Sequence, residues 1–134
     1  MRKVFEDVPL TKVYPELGRS LGDELLEPHR SYLEALQTIE WKSAAHITGG
    51  GILGNLPRCL PDGVGARLER KSWVEPPIFG LVRKRGRVSD DEMLGTFNLG
   101  LGMILVVDGK NVPSGAQVVG EVVRQTGPDR VVIS

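Results

Sequence analysis

Thr48-Gly49-Gly50-Gly51 is the segment of this sequence whose residue types are best suited to holding a ligand. Glycines let a backbone approach a bound group closely. A helix that follows such a loop offers unpaired N–H groups and the positive end of its dipole. Together they receive an anion, most naturally phosphate or carboxylate. The loop matches neither the dinucleotide fingerprint nor the P-loop, and a tight structural turn is the other open reading. Asn55 and Arg58 follow, three apart and off the face formed by Ile52, Leu56 and Leu60. An amide and a guanidinium so placed can read a phosphate or a ribose; the alternative is a solvated flank with a surface ion pair. His46 precedes the loop, where an imidazole can touch a phosphate, carry a proton or serve as a hydrogen-bonded structural residue. Further on, Thr96-Phe97-Asn98-Leu99-Gly100-Leu101-Gly102 leads into an apolar run. Gly100 and Gly102 share one face and leave room beside it, into which Asn98 can point; a helix packed on a smooth strand is the other reading. His29 reads as a surface residue. Two histidines this far apart in sequence, with no cysteine partners, give no metal-ligand spacing, so no metal ligand and no catalytic residue is assigned.

The elements that must position these residues follow from patterning. Lys42–Ile47 reads as a strand of small residues that delivers His46 to the glycine loop. Ile52, Leu53, Leu56 and Leu60 recur at helical spacing, and Pro61-Asp62-Gly63 ends that helix in a turn. Val64–Arg70 alternates, as a half-buried strand does. Pro76-Pro77 opens a helix that runs to Gly86, and Ser89 with Glu92 forms a capping box. Leu101–Val107 is apolar on both faces and reads as a central strand. Asp108–Gly115 is a polar loop; Val118–Val123 and Arg130–Ile133 are two more strands joined at Gly127-Pro128-Asp129. Toward the start, residues 2–7 form a short helix, residues 9–20 are irregular, Ser20 caps Leu21–Leu26, and Ser31 caps a helix to about Ile39. The sum is a mixed α/β (α+β) domain, a β-sheet of about four to six strands with packed helices.

The 134 residues fit a single domain, 1–134, with one core. Seventeen Lys and Arg balance seventeen Asp and Glu. A zero net charge argues against a general nucleic-acid binder. The basic clusters at Arg67–Lys71 and Arg83–Arg87 read as solvated faces. No apolar run approaches the roughly 20 residues needed to span a bilayer. Cys59 is the one cysteine, so no internal disulfide forms; it reads as a buried thiol in a reducing, cytoplasmic setting. Trp41 and Trp73 read as packing residues, and Met93 with Phe97 as a core edge.

Several of these segments, taken in order, resemble the aminoimidazole ribonucleotide synthetases. The resemblance rests on His46-Ile47-Thr48-Gly49-Gly50-Gly51, Asn55-Leu56-Pro57-Arg58, Leu60-Pro61, Ser72-Trp73, Pro77-Ile78-Phe79, Glu92-Met93, and Thr96-Phe97-Asn98 with Gly100 and Gly102-Met103. Upstream, Leu26, Pro28, Arg30 and Tyr32 match as well. It covers most of residues 2–133. The resemblance implies the C-terminal half of a two-domain, ATP-dependent cyclo-ligase of purine biosynthesis. That enzyme closes the ring of formylglycinamidine ribonucleotide, and ATP with Mg2+ is held mostly by the N-terminal half. It also implies a cytoplasmic homodimer whose main contact lies in that half. By resemblance Thr48, Gly49, Gly50 and Gly51 line the substrate groove, and Asn55, Arg58, Asn98 and His46 are the next binding candidates. Met1-Arg2-Lys3-Val4 resembles the start of the C-terminal half, so the N-terminal ATP-binding half is expected to be absent and the fragment inactive alone. The alternatives are a domain of a formylglycinamidine ribonucleotide synthetase or selenophosphate synthetase type, or a stand-alone domain binding a phosphorylated ligand.

Three departures from the family pattern carry expectations of their own. Pro28-His29-Arg30 stands where Pro-Thr-Arg is usual. The stretch from Tyr32 to His46 is short. Asp108–Gln117 replaces a usual helix with a segment rich in Gly and Pro, which predicts a loop, a barer sheet face and an exposed apolar patch that favours self-association.

Overall fold

Small and β-branched residues at 43–46, 64–68, 103–106, 120–124 and 131–133 become strands, and short helices form in the stretches before residue 97. The computed structural model describes all residues, Met1–Ser134. A single 3-10 turn at Arg2–Phe5 buries Phe5. Inside the stretch expected to be irregular, β1 (Val13–Tyr14) and β2 (Arg19–Ser20) pair as a minimal hairpin. Ser20 then caps α1 (Leu21–Leu25), accepting from the Asp23 N–H at 3.1 Å. The next helix, α2 (Leu33–Thr38), starts one residue later than expected: Tyr32, not Ser31, is its N-cap, and none of its residues is buried.

The strands do not form one sheet. β3 (Ser43–His46) pairs antiparallel with β5 (Met103–Val106), with Ser43 opposite Val106 and His46 opposite Met103. β4 (Val64–Leu68) is the middle of a separate sheet, antiparallel to β6 (Gly120–Arg124) and parallel to β7 (Val131–Ile133). The expected central strand therefore bonds on one side only. Its other side faces an open groove of about 810 Å³, lined among others by Tyr32, Ile39, Leu105, Val107, Val118 and Val119. The cause is the segment between β5 and β6. Residues 108–119 form only turns and irregular backbone, as their Gly and Pro content predicts, so no helix or strand covers that side.

The helix expected from Ile52 to Leu60 is two pieces. α3 (Gly51–Asn55) gives way to a 3-10 turn at Leu56–Cys59, because Pro57 has no N–H to continue the ladder. Ile52 and Leu56 are fully buried, each worth roughly 1.5–3 kcal/mol. They join Ala45, Ile47, Ala66, Trp73 and Ile104 in the larger core between the two sheets. A second core holds Phe5, Leu21, Val82, Met93 and Leu99, under α4 (Pro77–Gly86) and α5 (Asp90–Thr96). Leu94 packs against both cores, and Phe97 flanks the second. The capping box of α5 is present: the Ser89 hydroxyl accepts from Glu92 N–H at 3.3 Å, and the Glu92 carboxylate accepts from Ser89 N–H at 3.2 Å. Trp73 is buried and its indole donates to the Leu99 carbonyl, whereas Trp41 is 42% exposed and ties down only Leu36. Cys59 is half-buried rather than buried. The basic clusters are ion-paired on the surface, with Arg67 to Glu121, Arg83 to Glu75 and Asp90, and Arg85 to Asp7. No helix is long and apolar enough to cross a membrane.

Candidate functional site

Ile47 is buried, and its N–H donates to the Gly102 carbonyl at 2.9 Å, so the chain leaves β3 anchored. It then turns at once, with Gly51 N–H donating to the Thr48 carbonyl at 3.0 Å. Gly50 and Gly51 take φ of +94° and +60°, the left-handed region that favours glycine. Gly51 answers a second demand. A Cβ there would overlap the Leu94 carbonyl oxygen and crowd the Thr96 nitrogen, so the end of α5 sits directly on it. Gly49 has nothing within 4 Å of its Cβ direction, and Thr48, Gly49 and Gly50 are exposed. The glycine loop thus has a packed side at Gly51 and an open side at Thr48–Gly50.

Asn55 holds the loop from beneath. The side chain is buried, and its Nδ2 donates to the carbonyls of Thr48 (3.4 Å), Gly49 (3.1 Å) and Gly51 (2.8 Å). Three acceptors around one atom fix that atom as the nitrogen. This differs from the flanking position expected from helical spacing. The break at Pro57 turns Arg58 outward while Asn55 points inward, so the two are not brought together as a pair. Arg58 is exposed and forms no ion pair, so its guanidinium is free for an external anion.

With the carbonyls engaged underneath, the N–H groups of Thr48, Gly49 and Gly50 have no protein acceptor. Successive free amides on a tight turn make a concavity suited to an anion. The five residues of α3 are too few for a large dipole, so the loop amides carry this property more than the helix does.

Asn98 ends the second segment. Its Oδ1 accepts from Gly100 N–H at 3.1 Å and closes the turn in which Leu99 and Gly100 both have positive φ. It therefore does not point into space beside the strand. That space is already taken: Pro76 and the Val74 carbonyl lie against Gly100, and the Tyr32 hydroxyl lies on Gly102. Thr96, two residues before Asn98, abuts Gly51, which brings the two segments side by side. His46 is exposed, and its Nε2 lies 3.0 Å from His29 Nε2. Sequence spacing gave no sign of this pair, because it needs the irregular segment between α1 and α2 to lie against the end of β3.

The residues present fit phosphate oxygens and not Mg2+. That hard cation takes carboxylate and carbonyl oxygens, whereas the loop offers N–H groups without protein acceptors, and its Thr48, Gly49 and Gly51 carbonyls are engaged by Asn55. No group of three or more His, Cys, Asp and Glu side chains gathers anywhere in the chain.

Comparison with known proteins shows the family. The family model described as AIR synthase related protein, C-terminal domain, matches residues 2–133. A phosphoribosylformylglycinamidine cyclo-ligase from Caldicellulosiruptor saccharolyticus is 46% identical over 129 residues, covering 90% of this chain and 38% of the relative. The Myxococcus xanthus protein of the same name is 54% identical over 106 residues, covering 76% of this chain and 31% of the relative. That from Geobacillus thermodenitrificans is 39% identical over 144 aligned positions, covering 94% of this chain and 41% of the relative. This last alignment is longer than the whole 134-residue chain, so the relative has residues without a counterpart here. The chain spans less than half the length of these curated relatives. It belongs to the family of AIR synthase related proteins, as their C-terminal domain.

Proposed function

We propose that this chain is the C-terminal half of a phosphoribosylformylglycinamidine cyclo-ligase, and that Thr48, Gly49 and Gly50 hold phosphate oxygens during ring closure. The observation that carries this is the row of three unpaired amides, fixed from below by Asn55 and from the side by α5. The names of the relatives favour the cyclo-ligase over the other ATP-using enzymes of similar architecture. ATP supplies the phosphorylation of the formyl oxygen, which leaves as phosphate when the amidine nitrogen closes the ring. The residues of this chain orient rather than react. Backbone amides can stabilise phosphate charge without moving a proton, and the exposed, unpaired Arg58 offers a guanidinium to the same substrate. A second half would hold ATP and Mg2+ and form the dimer contact, in a cytoplasmic enzyme that is inactive without it.

The test is an amide NMR titration of the chain with inorganic phosphate. The signals of Thr48, Gly49 and Gly50 should move together and saturate. Shifts confined to other surfaces would remove the loop from the site. In the enzyme completed by its other half, Arg58→Ala should weaken substrate or ATP binding by about 1–3 kcal/mol, the worth of a charged hydrogen bond. Unchanged Michaelis constants for both would take Arg58 out.

A further inference from the structure

His29 and His46 lie 17 residues apart in sequence, and the fold sets their Nε2 atoms 3.0 Å apart. The ring centroids are 5.1 Å apart with planes at 53°, and both side chains are exposed. Tyr32 stands edge-on to both rings, at 5.7 Å from His29 and 6.1 Å from His46. Tyr32 is itself seated on Gly102, where any side chain would collide with its hydroxyl. His46 is fixed at the end of β3, opposite Met103. The pair is therefore supported on both sides and open to solvent.

A neutral imidazole carries one N–H and one lone pair, so in the metal-free pair one ring donates to the other. When neither Nε2 carries a proton, each offers a lone pair, and small rotations of the two exposed rings turn both toward one ion. Imidazole nitrogens suit the borderline ions nickel, copper and zinc. With metal–nitrogen bonds of about 2.0–2.1 Å, adjacent ligands lie about 2.9 Å apart in a square-planar arrangement and about 3.4 Å apart in a tetrahedral one. The observed separation falls within that range without backbone movement. No thiolate or carboxylate completes the set, so the remaining positions are left to water or an anion.

We propose that His29 and His46 form a two-imidazole site for a divalent transition metal ion. The site selects nickel over cobalt over manganese and ignores magnesium. It stands two residues before the free amides of Thr48–Gly50. The site does not depend on those amides holding a substrate.

The test uses the unmodified, tag-free chain in calorimetric titrations with Ni2+, Co2+, Mn2+ and Mg2+. One Ni2+ should bind per chain, with Co2+ weaker, Mn2+ weaker still and Mg2+ giving no heat. His29→Gln and His46→Gln should each weaken Ni2+ by at least about tenfold, with circular dichroism unchanged, and Cys59→Ser should leave it unaltered. Substoichiometric Ni2+ should also broaden the ring-proton NMR signals of both histidines in the wild-type chain, a readout that needs no variant. Absence of stoichiometric Ni2+ binding, broadening of one histidine or neither, or an affinity that survives either glutamine variant would overturn the proposal.

Discussion

Gly49 and Gly51 are two positions apart and answer to different neighbours. Gly51 has positive φ and the α5 backbone against it; Gly49 faces open space. Gly51→Ala should cost at least about 2 kcal/mol of stability in urea unfolding, from strain and overlap together. Gly49→Ala should leave the unfolding midpoint nearly unchanged. Equal midpoints for the two variants would mean that the loop has no packed side. Sequence alone showed the glycine run and its suitability for an anion, but not that one glycine serves packing and the others face outward. That division depends on Leu94 and Thr96, more than 40 residues downstream. Asn55 was legible as a polar residue near the loop. Its inward turn was not, because it follows from the helix breaking at Pro57.

Among the elements, the capped helices and the alternating strand β4 were readable because caps and period-two patterns act locally. The β5 environment was not. An apolar run looks the same whether it is central or sits at the edge of a groove, and only the pairing partners decide. The segment after β5 is held at its start by Asp108, whose carboxylate accepts from Lys110 N–H at 3.0 Å and from the Lys42 ammonium at 3.2 Å. The Lys110 hydrogen bond first, and Lys42 second, hold the Asp108 carboxyl below the ordinary aspartate value. A carboxyl lowered in the folded state stabilises above its unfolded value, and that contribution is lost as pH falls through the folded one. Wild-type chain should therefore be more resistant to urea than Asp108→Asn near neutral pH, and the difference should vanish well below pH 3.8. A difference that persists unchanged into acid would assign the effect to something other than this charge.

For the whole molecule, two cores joined through Leu94 carry a loop whose Thr48, Gly49 and Gly50 amides have no protein acceptor. The chain spans 38% of the Caldicellulosiruptor saccharolyticus relative. The family was legible because many short motifs keep their order, and the barer sheet face followed from the Gly and Pro content of residues 108–117; the two-sheet arrangement was not legible, since it depends on which distant strands pair. The most direct measurement is ring closure of formylglycinamidine ribonucleotide with ATP, by this chain alone and with the N-terminal half of a cyclo-ligase added. No turnover alone and turnover on addition, reduced when Arg58 is replaced by alanine, is the predicted result. Turnover by the chain alone, or none from the two folded halves together, would contradict it.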